Sequence, residues 1–285
     1  SMPSGPLPRE KTMKQRWTML LLIAGLILIS GTATAKTPTA DEVVEIAVAA
    51  AETGSTLVDH DMIRMAIRQE ETTSDGTSEN SELTAMFHGD RLQNTRVELS
   101  QGVSLVLNNK TGWALIRGQL DARPQTPRMA AGTVRQTLFP LLLPFSLRMQ
   151  GVKLGMVTEG SFDGSPVWVV EATFDTEFFA APSMVTTWKI FIARETKLVV
   201  GAEYLPSDEF RAVRSEGIRY RYLKRQNVDG ISFPSQVLLD GIDLNGMENG
   251  HVRVTKISSE TVGPLDLSLF ISPDERERMD AGEVR

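Results

Sequence analysis

The residues best suited to acid-base or metal chemistry are three histidines, His60, His88 and His251, which lie far apart in the sequence. The run Asp59-His60-Asp61 offers possible ligands side by side, but three consecutive side chains converge on one ion only around a sharp turn. Cysteine is absent, so the chain can form no disulfide and no thiolate metal site, and it lacks the acylated cysteine of bacterial lipoproteins. We therefore expect neither a metal ion nor a cofactor.

Nucleophilic and phosphate-binding motifs are also missing. The sequence contains no G-x-S-x-G, no Walker loop and no G-x-G-x-x-G. Residues 160–165, GSFDGS, are interpreted as a hairpin turn rather than a phosphate cradle. The sequence thus predicts no catalytic residues. The net charge of -6 and the pI of about 5.3 argue against a nucleic-acid surface, which would be basic.

Residues 13–35 are typical of an export signal. Lys14 and Arg16 form a positive start, residues 19–29 carry no charge, and Ala33-Thr34-Ala35 is an A-x-A cleavage site. The apolar run is shorter than the roughly 20 residues of a transmembrane helix, so an uncleaved anchor is the less favoured alternative. Residues 1–12 are interpreted as an upstream extension. We expect cleavage after Ala35 and a periplasmic protein, residues 36–285, with one domain and a short charged C-terminal tail.

The predicted domain opens with a helix and continues as strands. Thr39 is a candidate helix cap, followed by acidic residues and apolar residues at helical spacing up to Gly54. Ile63, Met65 and Ile67 then alternate with Arg64, Ala66 and Arg68, as in a strand with one buried face. The polar residues 70–82 are interpreted as an exposed loop.

Turn signals divide the rest of the chain into short strands. Residues 108–112, Asp163-Gly164 and Asp229-Gly230 are typical hairpin turns. Short connections favour antiparallel pairing, because parallel neighbours need a crossover of a dozen or more residues. We therefore predict one long, curved antiparallel sheet in nearest-neighbour order. Its strands are predicted at residues 96–99, 103–107, 113–117, 152–158, 167–174, 188–192, 198–202, 218–222, 231–233 and 251–257.

One segment breaks this pattern. Residues 138–147, here called the proline segment, form an apolar run interrupted by Pro140 and Pro144. Proline removes a backbone donor and clashes with the preceding turn, so we expect a kinked helix or two short helical turns. An apolar segment of this kind needs cover, and the concave face of the sheet is the predicted place.

The apolar surface predicted for the sheet exceeds what one opening helix can cover. Ordinary core packing explains each aromatic residue taken singly. Taken together, they lead to the hypothesis of an apolar cavity that binds lipid tails beneath mobile helical elements. The candidate lipid-binding residues are Leu138, Phe139, Leu142, Phe145, Leu147, Trp168, Phe174, Trp188 and Ile190.

The C-terminal third resembles the LolA-like family of outer-membrane lipoprotein-sorting proteins. The similarity lies in residues 222–235, with the Asp229-Gly230 turn before Pro234, in the strand at residues 252–257 and in the closing residues 264–270. Residues 188–204 are similar to a further hairpin of the family. The resemblance implies an α+β, mostly antiparallel fold, in which a curved incomplete β-barrel (LolA/LolB-like) wraps around helices.

The resemblance also implies a hydrophobic cavity for lipid or lipoprotein acyl chains, which are carried between membranes. An inner-membrane exporter or transporter and an outer-membrane acceptor are then possible partners. For the family's cavity arginine, Arg64, Arg68 and Arg96 all remain candidates. The favoured hypothesis is a non-catalytic periplasmic carrier. The alternatives are a periplasmic lipoprotein sensor that signals to a membrane partner and an enzyme on the same scaffold, since fold does not fix function.

Overall fold

We analysed a computed structural model, which describes residues 37–281 except 61, 90, 91, 93, 110, 212–215 and 265. The predicted export signal and its cleavage site lie outside the described residues, and so does Asp61. Within the described part, four α-helices and five short 3₁₀ helices accompany thirteen strands.

The thirteen strands form one antiparallel sheet. They are β1 (Ile63–Thr72), β2 (Ser78–Phe87), β3 (Asn94–Leu99), β4 (Val103–Asn108), β5 (Thr111–Ile116), β6 (Gln119–Leu120), β7 (Val152–Phe162), β8 (Ser165–Phe174), β9 (Trp188–Ala193), β10 (Val199–Tyr204), β11 (Gly217–Val228), β12 (Ile231–Ile242) and β13 (Glu248–Thr261). The helices are α1 (Ala40–Ala51), α2 (Thr126–Leu138), α3 (Asp208–Arg211) and α4 (Pro273–Asp280).

The predicted nearest-neighbour order of the strands is wrong at one place, because β6 and β7 do not pair. The sheet runs β6-β5-β4-β3-β2-β1-β13-β12-β11-β10-β9-β8-β7, so the first and last strands pair in its middle. Their register places Ile63 opposite Thr261 and Thr72 opposite Val252. The edges of the sheet are therefore β6 and β7, two strands that are consecutive in the chain. The connection between them carries α2 and the proline segment.

The interpretation of residues 70–82 as a loop is wrong. Strand β1 extends to Thr72, strand β2 begins at Ser78, and these two residues pair in the hairpin. The turn covers only residues 73–77, where the Asp75 carboxylate accepts hydrogen bonds from the Thr73 hydroxyl and the Thr77 amide. Backbone hydrogen bonds hold the polar ends of β1 and β2 together, although most of their side chains are exposed. Because neither face of these ends is buried, the sequence shows no apolar alternation there.

Helix α1 begins as predicted, with a capping box in which the Thr39 hydroxyl accepts from the Glu42 amide and the Glu42 carboxylate accepts from the Thr39 amide. It ends at Ala51, earlier than the predicted Gly54. Its apolar stripe, Val43, Val44, Ala47 and Val48, is buried. The sheet face that α1, α2 and the proline segment cover is called the inner face below.

The proline segment forms two short helical turns, which is one of the two predicted alternatives, and a regular α-helix, α2, precedes them. The two short turns are the 3₁₀ helices Pro140–Leu142 and Phe145–Arg148, each beginning at or directly after a proline. The α-helix before them starts at Thr126, with Pro127 in its first turn. The first half of this helix escaped prediction because its mean hydropathy is low and its buried residues are small.

Candidate functional site

The centre of the inner face is an aromatic cluster around Phe139, which lies between α2 and the first 3₁₀ turn and is fully buried. Its ring meets Phe174 edge-on at a centroid distance of 5.1 Å and Trp188 at 5.3 Å. Phe178 and Phe179 surround the same ring. Edge-to-face pairs of this kind add about 0.5–1.5 kcal/mol each beyond burial of area.

Two side-chain hydrogen bonds hold the backbone of the proline segment. Inside the segment, the Ser146 hydroxyl donates to the Phe139 carbonyl at 2.7 Å. From the sheet, the Tyr222 hydroxyl on β11 donates to the Pro140 carbonyl at 2.5 Å. Burial raises the pKa of Tyr222 well above its usual range, so this phenol stays a donor. The segment is thus tied to the sheet by a hydrogen bond as well as by apolar contacts.

All nine candidate lipid-binding residues belong to the main hydrophobic core. The exposed fraction of these residues ranges from 0% for Phe139, Trp188 and Ile190 to 9% for Trp168 and Phe174. The structure brings the predicted set together on the inner face, where its members contact one another and the rest of the core. Their contact with a lipid stays a proposal.

A cavity of about 230 Å³, called the inner cavity here, lies between the end of α2 and strands from the middle of the sheet. One side is apolar and includes Leu83, Leu141 and Leu239. The other side is polar and carries Glu71 on β1 together with His251 and Arg253 on β13. Sequence reasoning missed this polar group because Glu71 is separated from His251 and Arg253 by 180 residues or more.

The polar side of the inner cavity is organised around the Glu71 carboxylate. His251 Nε2 lies 2.6 Å from Oε1, and Arg253 Nε donates to Oε2 at 2.8 Å. Glu216 lies on the other side of the imidazole, with Oε2 3.8 Å from His251 Nδ1. Burial by itself would raise the pKa of Glu71, but the hydrogen bond from His251 and the charge of Arg253 outweigh it and hold that pKa below its usual range.

The three histidines do not converge. His60 contacts the Ser55 hydroxyl at 2.8 Å, His251 contacts Glu71, and His88 follows the end of β2, where its amide bonds the Asn94 carbonyl. Among the described residues, no cluster of three or more His, Asp or Glu side chains could hold a metal ion.

The arginines considered from sequence do not line the inner cavity. Arg64 and Arg68 lie on the exposed side of β1, where they pair with Glu260 and Glu82. Arg96 lies on the outer face of β3, pairs with Glu98 and donates to the Leu269 carbonyl. Side chains alternate between the two faces of a strand. The residues next to 64, 68 and 96 in β1 and β3 point to the inner face, so these three arginines point to the outer face.

Comparisons with known proteins identify the fold through solved structures and not through sequence. No family model matches the sequence, and no curated protein matches it. Among solved structures, a LolA superfamily protein from Nitrosomonas europaea superposes with a TM-score of 0.56 at 14% identity, covering 83% of this chain and 99% of that one. The fold is LolA-like. This confirms the predicted class, an α+β, mostly antiparallel structure with an incomplete barrel around helices.

Two further structures give the same result. A putative outer-membrane lipoprotein-sorting protein domain from Vibrio parahaemolyticus has a TM-score of 0.54 at 9% identity, covering 81% of this chain and 97% of that one. A DUF1329 family protein from Desulfovibrio piger has a TM-score of 0.53 at 10% identity, covering 84% and 100%. No helix in the described part of the chain is both long and apolar enough to cross a membrane.

Proposed function

We propose that the protein is a carrier that takes lipid or lipoprotein acyl chains onto its inner face, beneath the proline segment, and moves them between membranes. The observation that supports this is the cover of the inner face, a largely apolar segment with two prolines in place of a long regular helix. Much of its contact with the sheet is ring and aliphatic packing, as between Phe139 and Trp188. An acyl chain can replace such contacts at small cost, because both partners are apolar.

Lipid entry requires the segment to move. The inner cavity of about 230 Å³ is smaller than the roughly 300–1,000 Å³ that enclose a drug-sized ligand. Displacement of the segment from Trp188 and Phe174 would enlarge this space and turn the nine candidate residues into its walls. The edges β6 and β7 are not paired with each other, so this movement breaks no strand pairing between them.

The proposed carrier works in the periplasm. We expect N-terminal sequencing of protein recovered from an osmotic-shock fraction to begin at Lys36, after cleavage at the A-x-A site of residues 33–35. An inner-membrane exporter or transporter would load the chain and an outer-membrane acceptor would unload it. In this proposal the protein catalyses no reaction.

Brominated fatty acids, which quench tryptophan fluorescence on contact, test the site of binding in protein beginning at residue 36. Trp168 and Trp188 lie on the inner face, whereas Trp113 lies in a separate cluster on the outer face beside Phe270. The variant Trp113→Phe keeps both inner reporters. The matched control Trp168→Phe/Trp188→Phe keeps only the outer one.

We expect the brominated lipid to quench the inner reporters strongly and the outer reporter weakly, and the unbrominated lipid to quench neither. Native mass spectrometry of the same samples gives the stoichiometry. Equal quenching of inner and outer reporters, or no bound lipid at any ratio, would contradict the proposal. Both variants are checked by circular dichroism, because Trp188 also donates a hydrogen bond to the Met184 carbonyl.

A further inference from the structure

A second cavity of about 350 Å³, the seam cavity, lies between the two ends of the open sheet. Leu92, Leu107 and Asn109 come from the β3–β5 end, whereas Met149 and Phe178 come from the β7–β8 end. Helix α2 closes the space between them with one charged side chain, Arg135. Each side of the seam cavity thus combines apolar and polar groups, with Asn109 on the first side and Asp175 and Glu177 on the second, and Arg135 is its cation.

Arg135 is in an unusual position for a guanidinium group. Its Cζ lies 5.3 Å from the ring centroid of Phe178, and burial lowers its pKa from the usual value. Among the residues that the structure describes, no carboxylate and no carbonyl accepts a hydrogen bond from this guanidinium. The Arg135 side chain is half-buried at the wall of the cavity, so part of its desolvation cost is uncompensated, and a bound anion would offset that part.

The acidic residues around the seam cavity are already paired. Asp175 lies 2.7 Å from the Lys153 ammonium, and Glu177 lies 3.4 Å from the Arg128 guanidinium. Both carboxylates are more than half exposed to solvent, which weakens their field at Arg135. An anion in the cavity therefore meets one unpaired cation and two carboxylates that have cations of their own.

We propose that the seam cavity binds the anionic head group of a lipid, a carboxylate or a phosphate, with Arg135 as its anchor. The planar guanidinium can donate two parallel hydrogen bonds to either group. The first part of the acyl chain lies against Leu92, Leu107 and Phe178. This inference rests on the proposed carrier function and gives it a substrate class, lipids with a negative head group.

The test compares two lipids with the same chain, palmitate and uncharged monopalmitoylglycerol, and includes inorganic phosphate as an anion without a chain. Binding to the purified protein is measured by titration calorimetry. The variant Arg135→Gln removes the charge at similar side-chain length. The variant Arg135→Lys keeps the charge but cannot donate two parallel hydrogen bonds to one anion. The charge-matched control is Arg194→Gln, at a surface arginine that pairs with Glu159 and does not line the seam cavity.

Wild type should bind palmitate about 10- to 100-fold more tightly than monopalmitoylglycerol, since a charge-assisted hydrogen bond is lost with the uncharged lipid. Arg135→Gln should abolish this preference without weakening monopalmitoylglycerol, Arg135→Lys should retain part of it, and Arg194→Gln should leave it unchanged. The lipid-free Arg135→Gln protein should melt at or above the wild-type temperature, because a desolvated charge is removed.

Other outcomes overturn the inference in distinguishable ways. Equal binding of the two lipids by wild type would refute the head-group site and leave the proposed carrier function standing. A preference for palmitate that survives in Arg135→Gln places the anion elsewhere. Phosphate binding that depends on Arg135, without any palmitate binding, shows a site for a free anion and not for a lipid. A lowered melting temperature with unchanged lipid preference shows that Arg135 acts structurally, through its contact with Phe178. If neither lipid binds, the proposed carrier function itself is refuted.

Discussion

The hydrogen bond between Tyr222 and Pro140 allows a quantitative test of whether the proline segment moves when lipid binds. The variant Tyr222→Phe keeps the ring against the segment and removes only the hydroxyl. A typical hydrogen bond contributes about 0.5–1.5 kcal/mol, and an unsatisfied buried carbonyl costs about 1–3 kcal/mol. We therefore expect the free energy of unfolding to fall by about 1–3 kcal/mol in urea denaturation.

The same loss has a kinetic consequence if the segment opens to admit lipid. The hydrogen bond exists only while the segment lies on the sheet, so its removal raises the population of the open arrangement by about 5- to 150-fold. Stopped-flow mixing with a fluorescent fatty acid should show uptake accelerated by a similar factor. The variant Ser146→Ala is the matched control, because it also loses a buried hydroxyl hydrogen bond, but one that lies within the segment.

Unchanged uptake in Tyr222→Phe, together with the expected loss of stability, would refute the reasoning, since it would mean that lipid binds while the segment stays in place. Equal acceleration in Ser146→Ala would show that general loosening of the core, and not release of the segment from the sheet, controls uptake.

Three further predictions concern the scaffold. A Cβ atom at Gly112 would collide with the Pro127 carbonyl oxygen and the Ala131 backbone nitrogen on α2, so Gly112→Ala should lower the free energy of unfolding by about 1–3 kcal/mol in urea. Arg221 pairs with the buried Asp240, so Arg221→Ala should destabilise by about 1–3 kcal/mol in thermal melts, and an unchanged melt would show that water replaces the guanidinium. The depressed pKa of Glu71 stabilises the fold above its ordinary value of 4.5 and loses this contribution as the pH falls through the folded pKa. The free energies of unfolding of Glu71→Gln and wild type should therefore differ above pH 4.5 and converge as the pH falls below 4.5 and through the folded pKa of Glu71.

Local features of the sequence determined the hairpins and the opening helix. Asp163-Gly164 and Asp229-Gly230 each adopt positive φ at both residues, and each joins two paired strands as predicted. The alternation of Ile63, Met65 and Ile67 assigned the buried face of β1 correctly. These features follow from dihedral preferences and from the period of side chains along a strand, which neighbouring residues alone specify.

The paired strands β1 and β13 show what a local pattern leaves open. Nothing near Ile63 indicates that its partner is Thr261, and the polar end of β1 carries no alternation that would extend the predicted strand beyond Arg68. Pairing between segments so distant in sequence is selected by the packing of the whole sheet. The strand order, and with it the open edges β6 and β7, therefore emerged only in the tertiary structure.

For the candidate site too, the sequence indicated one part and only the tertiary structure revealed the other. Apolar composition and two prolines in residues 138–147 indicated the segment that covers the inner face, because such a run cannot remain in water. The polar residues around it gave no signal. Glu71 contacts His251 across 180 residues, and Arg135 is an ordinary helix residue in the sequence that the fold places over the Phe178 ring. Burial and pairing of a charge depend on which distant segments surround it, and only the folded chain brings those segments together.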